Sequence, residues 1–159
     1  MKTVVITVST SVSRRESEDV SGPALAHLAE DAGCEVEAME VLPDDWALIE
    51  DRLRHHADNG VALVLTTGGT GFTPDDVTPE ATRSVIERDA PGIAEAIRAA
   101  SLQHTPMGML SRGASGIVDR TLIVNFPGSP KAIEQTFGVI APVLKHAVDT
   151  LQRDGGRSH

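Results

Sequence analysis

The sequence predicts a single α/β domain, a three-layer α/β/α arrangement with a mostly parallel sheet, on three observations. Its apolar runs are short and unbroken, as in strands covered on both faces, and residues 61–65 are the clearest case. Amphipathic helical stretches alternate with those runs over short connections, as in successive β–α–β crossovers. A glycine-rich loop leaves the carboxyl end of the run at Val61, the place where open α/β sheets take up ligands. The 159 residues are enough for one core.

The elements follow in order. Residues 2–8 are β-branched and apolar and read as the first strand, followed by a Ser- and Arg-rich loop over 9–17. Ser21-Gly22-Pro23 opens a helix whose Leu25, Leu28, Ala29 and Ala32 make one apolar stripe, and Gly33 ends it. Residues 34–41 read as the second strand. Pro43-Asp44-Asp45 then caps a helix with Trp46, Ile49, Leu53 and Ala57 at helical spacing, closing near Asn59-Gly60. The run at Val61 is the third strand. After the glycine loop, Thr78 is expected as a capping hydroxyl and Pro79 as the first helical residue. Helices are expected over 80–88 and 92–103, and an irregular Gly/Ser-rich stretch over 107–116. Ile117-Val118 and residues 121–126 flank Asp119-Arg120 as a tight hairpin that adds an antiparallel edge strand. Lys131 begins a long helix with Ile133, Phe137, Ile140, Leu144, Val148 and Leu151 on one face, and Pro142 is expected to kink or divide it. The domain is placed at 1–152, with a frayed tail at 153–159.

Composition narrows the function. Aromatic residues are 3% of the chain and tyrosine is absent, so Val, Leu, Ile and Ala carry the packing. The single cysteine, Cys34, excludes an internal disulfide and a cysteine-based zinc site. No apolar stretch is long enough to span a membrane and the N-terminus has no signal-peptide pattern, so a cytoplasmic protein with no membrane partner is expected. A net charge of −9 argues against nucleic acid as a partner, yet is compatible with nucleotides, which need only a local nest of donors.

The chemistry-bearing residues gather in loops that should leave the carboxyl ends of strands: 9–17, 42–45, 66–76 and 126–131. Glycines at 68, 69 and 71 let backbone N–H groups approach phosphate oxygens, and Thr67 and Thr70 add hydroxyl donors. Asp76 follows that loop and Asp44 follows another strand. Two carboxylates beside a phosphate nest point to a divalent ion bridging to phosphoryl groups. Each acid could instead be a helix cap. Arg112, among hydroxyls and glycines, and Lys131, at the start of a helix, are candidate anion partners; the alternative for both is a solvated surface cation. His55 and His56 are adjacent and point apart on a helix, His27, His104 and His146 are isolated, and no serine sits in a nucleophile elbow. Phosphoryl chemistry by positioning and electrostatics is the reading that remains.

Thr66-Thr67-Gly68-Gly69-Thr70-Gly71 followed by Asp76-Val77-Thr78-Pro79-Glu80-Ala81-Thr82 resembles the signature of the MoaB/Mog family of molybdenum cofactor biosynthesis. Further matches are Asp19-Val20-Ser21-Gly22, Pro43-Asp44-Asp45, Glu87-Arg88 with Pro91-Gly92, Met109-Leu110-Ser111-Arg112-Gly113, and Pro127-Gly128-Ser129-Pro130-Lys131. They span nearly the whole chain in order. The resemblance implies a molybdopterin adenylyltransferase, which transfers AMP from MgATP to the terminal phosphate of molybdopterin and releases pyrophosphate. It implies a homo-oligomer, trimer or hexamer, and a downstream molybdenum insertase as partner. Asp44 and Asp76 match the family's functional acids and its metal-binding positions. Gly68, Gly69, Thr70 and Gly71 match its ligand loop, and Ser111, Arg112, Pro127, Gly128, Ser129 and Lys131 fall in its other binding loops. Many members carry Ser-Asp or Ser-Asn after the first strand, where this chain has Ser9-Thr10. The alternatives are a non-catalytic molybdopterin-binding or assembly protein, or a pyrophosphatase related to competence-damage proteins. A substitution at Gly69 is expected to remove ligand binding and leave the fold intact.

Overall fold

The computed structural model describes residues 1–153. Four parallel strands, β1 (Lys2–Val8), β2 (Glu35–Leu42), β3 (Leu63–Thr67) and β6 (Thr121–Phe126), form the body of a six-stranded sheet. β5 (Ser115–Val118) pairs antiparallel with β6, and the short β4 (Arg88–Asp89) pairs antiparallel with β5. The order across the sheet is β2-β1-β3-β6-β5-β4. From β1 the chain moves one way to β2 and then returns past β1 to β3, so the strand order reverses between β1 and β3. The carboxyl ends of these two strands border the crevice where such sheets bind ligands.

Both faces of the sheet are covered. On one lie α2 (Ser21–Asp31), α5 (Pro91–Leu102) and α6 (Pro130–Gln152). They pack Leu25, Ile97, Ile133, Phe137 and Leu144 against Val5, Leu63, Leu65, Val124 and Phe126. On the other lie α3 (Trp46–Asp58) and α4 (Thr78–Val85), with Ile49, Leu53, Ala81 and Val85 against Val4, Ile6, Val64 and Ile123. Successive strand side chains point to opposite faces, so a strand with two buried faces must be apolar throughout. That is why β3 reads as an unbroken run. Each fully buried Leu or Ile contributes about 1.5–3 kcal/mol.

Several expectations are adjusted. The 9–17 segment holds one helical turn, α1 (Thr10–Ser13), capped by the Ser9 hydroxyl, which accepts from Val12 N. The helix expected over 80–88 ends at Val85. Ile86 turns extended, and Glu87 N donates to Ile117 O, drawing Arg88 and Asp89 into the sheet. Within 107–116, Pro106–Leu110 forms a 3-10 turn and β5 begins at Ser115. The hairpin at Asp119-Arg120 is present, and its second arm, β6, lies inside the sheet beside β3. α6 runs undivided through Pro142, because its buried stripe continues across that residue from Ile140 to Leu144. Thr78 caps nothing. Val77 holds the N-cap position of α4, and Thr78 is already inside the first turn. Of the expected tail, only Arg153 is among the described residues.

Candidate active site

Loops from β1, β2, β3 and β6 meet at the carboxyl edge of the sheet and bond to one another. Ser9 N donates to Leu42 O at 2.8 Å, Gly68 N to Phe126 O at 3.2 Å, and the Thr67 hydroxyl to Pro127 O at 2.7 Å. The Ser21 hydroxyl donates to Gly128 O at 2.8 Å. These are long-range contacts, so the site exists only once the sheet has assembled.

The glycine loop is shaped by what lies beneath it. Gly68 (φ +97°) and Gly69 (φ +68°) occupy the left-handed region, where a Cβ is strained. A Cβ on Gly68 would lie 2.2 Å from Val8 O, and one on Gly69 would lie 2.2 Å from Thr78 Oγ1 and 3.2 Å from Asp44 Oδ1. The loop therefore sits flush on the ends of β1 and α4. The N–H groups of Gly69, Thr70 and Gly71 have no acceptor among the described residues, which leaves consecutive donors for an anion.

Both acids flank this loop. Asp45, not Asp44, caps α3, accepting from Leu48 N at 3.1 Å. Asp44 turns toward Gly69, and Thr10 holds it there. Asp44 Oδ2 accepts from Thr10 Oγ1 at 2.8 Å and from Thr10 N at 3.2 Å, while Asp44 N donates back to the same hydroxyl at 3.0 Å. Thr10 thus fills the first-loop position with a clamp on the acid. Asp76 is not a helix cap either. Its Oδ2 accepts from Thr73 N at 3.0 Å and lies 2.9 Å from the Cβ position of Gly71.

An open cavity of about 430 Å³ is lined by Gly69, Thr70, Gly71, Asp76, Ser111, Pro127 and Gly128, with the exposed Phe72, Met107 and Leu110 at its rim. Across the Gly68–Gly128 contact lies a smaller cavity of about 160 Å³, lined by Thr7, Ser9, Asp19, Ser21 and Thr67. Six predicted residues lie outside the lining of the loop cavity: Thr67 and Gly68 line the smaller one, Asp44 lies beside Gly69, and Arg112, Ser129 and Lys131 stand further apart. Lys131 and Ser129 line a separate cavity of about 240 Å³ with His104, Thr105 and Gln135, and the Ser129 hydroxyl caps α6 by accepting from Ala132 N. Arg112 lies behind the loop. Its Nε donates to Gly71 O at 2.8 Å, Nη2 to Asp76 O at 2.8 Å, and Nη1 to Glu80 Oε1 and Oε2 at 2.6 and 2.9 Å. This fork braces the loop rather than facing the cavity.

Sequence reasoning passed over Asn125, and it quoted Thr10, Asp19 and Glu80 only within the family comparison, with no role for their side chains. Asp19 accepts from Thr7 Oγ1 and Gly22 N, both at 2.9 Å. Asn125, 2% exposed, donates to Thr66 Oγ1 and Thr82 Oγ1 and accepts from Ala114 N, all at 3.0 Å. A polar residue within an otherwise apolar strand was the available signal for Asn125. Thr10 stood out only as a departure from the family's Ser-Asp or Ser-Asn, which gave no sign of its bonds to Asp44.

Among the described residues no three His, Cys, Asp or Glu side chains converge as a metal cage. Two carboxylates beside a phosphate nest suit an ion held largely by phosphates and water, which is how magnesium is usually bound.

Residues 4–146 match the family described as the probable molybdopterin binding domain. The chain belongs to that family. It is 37% identical over 150 residues to the molybdopterin adenylyltransferase of Helicobacter pylori strain J99, covering 92% of this chain and 85% of that one. It is 39% identical over 152 residues to the molybdenum cofactor synthesis protein cinnamon of Drosophila melanogaster, covering 94% of this chain but only 25% of that protein. The chain thus spans about a quarter of that longer relative. Among solved structures, the molybdopterin biosynthesis enzyme MoaB of Thermus thermophilus superimposes with a TM-score of 0.89 at 42% identity, over 94% of this chain and 95% of that one. The mostly parallel sheet with antiparallel outer strands is the architecture of these relatives. No helix among the described residues is long and apolar enough to cross a membrane.

Proposed function

We propose that the chain is a nucleotidyltransferase of molybdenum cofactor biosynthesis, a molybdopterin adenylyltransferase. The observation that carries the reading is the glycine loop itself, where three successive N–H groups are unpartnered among the described residues and a carboxylate stands at either side. The named relatives support the substrate pair.

In this reaction an oxygen of the terminal phosphate of molybdopterin attacks the α-phosphorus of ATP. The bond to the β-phosphate oxygen breaks, and pyrophosphate leaves. The chain contributes position and charge. The amides of Gly69, Thr70 and Gly71 receive phosphoryl oxygens, and the open cavity beside Ser111, Pro127 and Gly128 admits the ligand. Asp44 and Asp76 are the residues that would hold magnesium against the phosphates; when bound, the ion offsets charge on the transferring group. Thr10 fixes which oxygen of Asp44 faces the loop. Lys131, at the start of α6, would offer a cation to anionic ligand groups from the separate cavity that it lines with Ser129.

A homo-oligomer, trimer or hexamer, belongs to the proposal, with Val139 and Val143 of α6 exposed beside Ile93 as an apolar face for it. So do a downstream molybdenum insertase as partner and a cytoplasmic setting. The test is incubation of pure protein with molybdopterin and MgATP, followed by chromatography for adenylylated molybdopterin and an assay of pyrophosphate. Binding of molybdopterin with neither product would reduce the chain to a binding protein.

A further inference from the structure

Thr78 is 0% exposed, and its Oγ1 has no hydrogen-bond partner among the described residues. A buried hydroxyl without a partner is a standing destabilisation, and one kept in a site calls for a reason. Its surroundings supply one. Thr78 N donates to Gly69 O at 3.1 Å, so the start of α4 is latched to the glycine loop. The hydroxyl lies directly beneath Gly69, 2.2 Å from where a Cβ would stand, and Asp44 Oδ1 lies 3.2 Å from the same point. Asp44 Oδ2 is saturated by the two Thr10 donors, whereas Oδ1 has no donor among the described residues. An unused donor and an unused acceptor thus share the space under one glycine.

We propose that Thr78 is a positioning residue for adenylyl transfer: when ligand occupies the glycine loop, its hydroxyl donates to Asp44 Oδ1 and fixes that carboxylate for its work on the phosphates. The inference rests on the function proposed above. In the free protein the pair is unmade. Settling of the loop on an anion closes it, so the bond forms only in the occupied state and its free energy goes to binding and turnover rather than to folding. Gly69 is required for this arrangement, because a Cβ there would occupy the place of the hydroxyl. The role differs from that of Thr10, whose bonds to Asp44 are already present without ligand.

The experiment compares wild type, Thr78→Val and Thr78→Ser in melting temperature, in the rise in melting temperature given by molybdopterin, and in turnover with MgATP. Valine keeps the shape and removes the orphaned hydroxyl, so the free variant should melt at or above wild type, by up to about 2–4 °C. Its turnover should fall about ten- to a hundredfold, and Thr78→Ser should restore most of it. In an Asp44→Asn background, Thr78→Val should have little further effect, since the hydroxyl acts through that carboxylate. Wild-type turnover in Thr78→Val overturns the inference. A lower melting point in both Thr78→Val and Thr78→Ser, with losses of turnover in proportion, makes the residue a plain structural one. If wild type binds molybdopterin but forms no product, adenylyl transfer fails as the function. The Thr78 inference is then decided by the ligand-induced rise alone, which must be smaller in Thr78→Val than in wild type for it to stand. If wild type neither binds nor reacts, both fall together.

Discussion

Replacing Arg112 by lysine separates two roles that the same cation could have. If Arg112 attracts an anionic ligand by charge, lysine keeps most of that attraction. If it braces the loop by its shape, lysine loses it. The fork reaches Gly71 O, Asp76 O and the Glu80 carboxylate at 2.6–2.9 Å, and an ammonium can keep only one of these in place. A hydrogen bond to a charged group contributes about 1.5–3 kcal/mol when sheltered. The Arg112 and Glu80 side chains are 32% and 28% exposed, so water replaces part of what is lost. The net destabilisation should be about 1–2 kcal/mol, a fall in melting temperature of about 2–8 °C for a domain of this size. The larger effect should be on catalysis, because Gly71 and Asp76 lose their common anchor. A displacement of about 1 Å at a reacting group can lower the rate on the order of a hundredfold. Thermal melts and steady-state kinetics on Arg112→Lys measure both. Unchanged melting and unchanged turnover would refute the brace. Unchanged melting with weakened ligand binding would return Arg112 to the role of a ligand contact.

Asp76→Asn should lower product formation by roughly a hundredfold while sparing most ligand binding, as should Asp44→Asn, and the double variant should lose far less than the product of the two, all read by kinetics and equilibrium titration. Gly69→Val should abolish binding and also lower the melting temperature, contrary to the sequence expectation, because its Cβ meets the buried Thr78 hydroxyl at positive φ; Gly71→Ala, whose Cβ meets only the Asp76 carboxylate at 2.9 Å, should melt as wild type and lose turnover. Glu40 on β2 is held below the usual carboxylate range by the bidentate Arg52 guanidinium, with His56 adding to it. A lowered carboxyl contributes stability above its ordinary value of 4.5 that is lost as pH falls through its folded value. Glu40→Gln should therefore melt below wild type near neutrality, and melts taken from about pH 7 down to about pH 3 should show that gap closing.

The layers, and the loops that gather in the candidate site, were legible in the chain as written. Period-two and period-3.6 patterning is local, so β1, β3, α2, α3 and α6 could be found without knowing their neighbours. A strand buried on both faces has to be apolar throughout, which made β3 and the loop after it conspicuous. The choice of Asp45 rather than Asp44 as helix cap, of Val77 rather than Thr78 at the head of α4, and of β4 rather than a longer helix was decided by partners from outside each segment: Thr10, Gly69 and Ile117. Arg112 shows the limit most plainly. Its sequence neighbours are hydroxyls and glycines, consistent with a cation facing a ligand, yet its partners at 71, 76 and 80 are brought to it only by folding. Residue type and spacing determine which groups can act on a phosphate; which of them face it is settled by side-chain direction, and that depends on long-range packing.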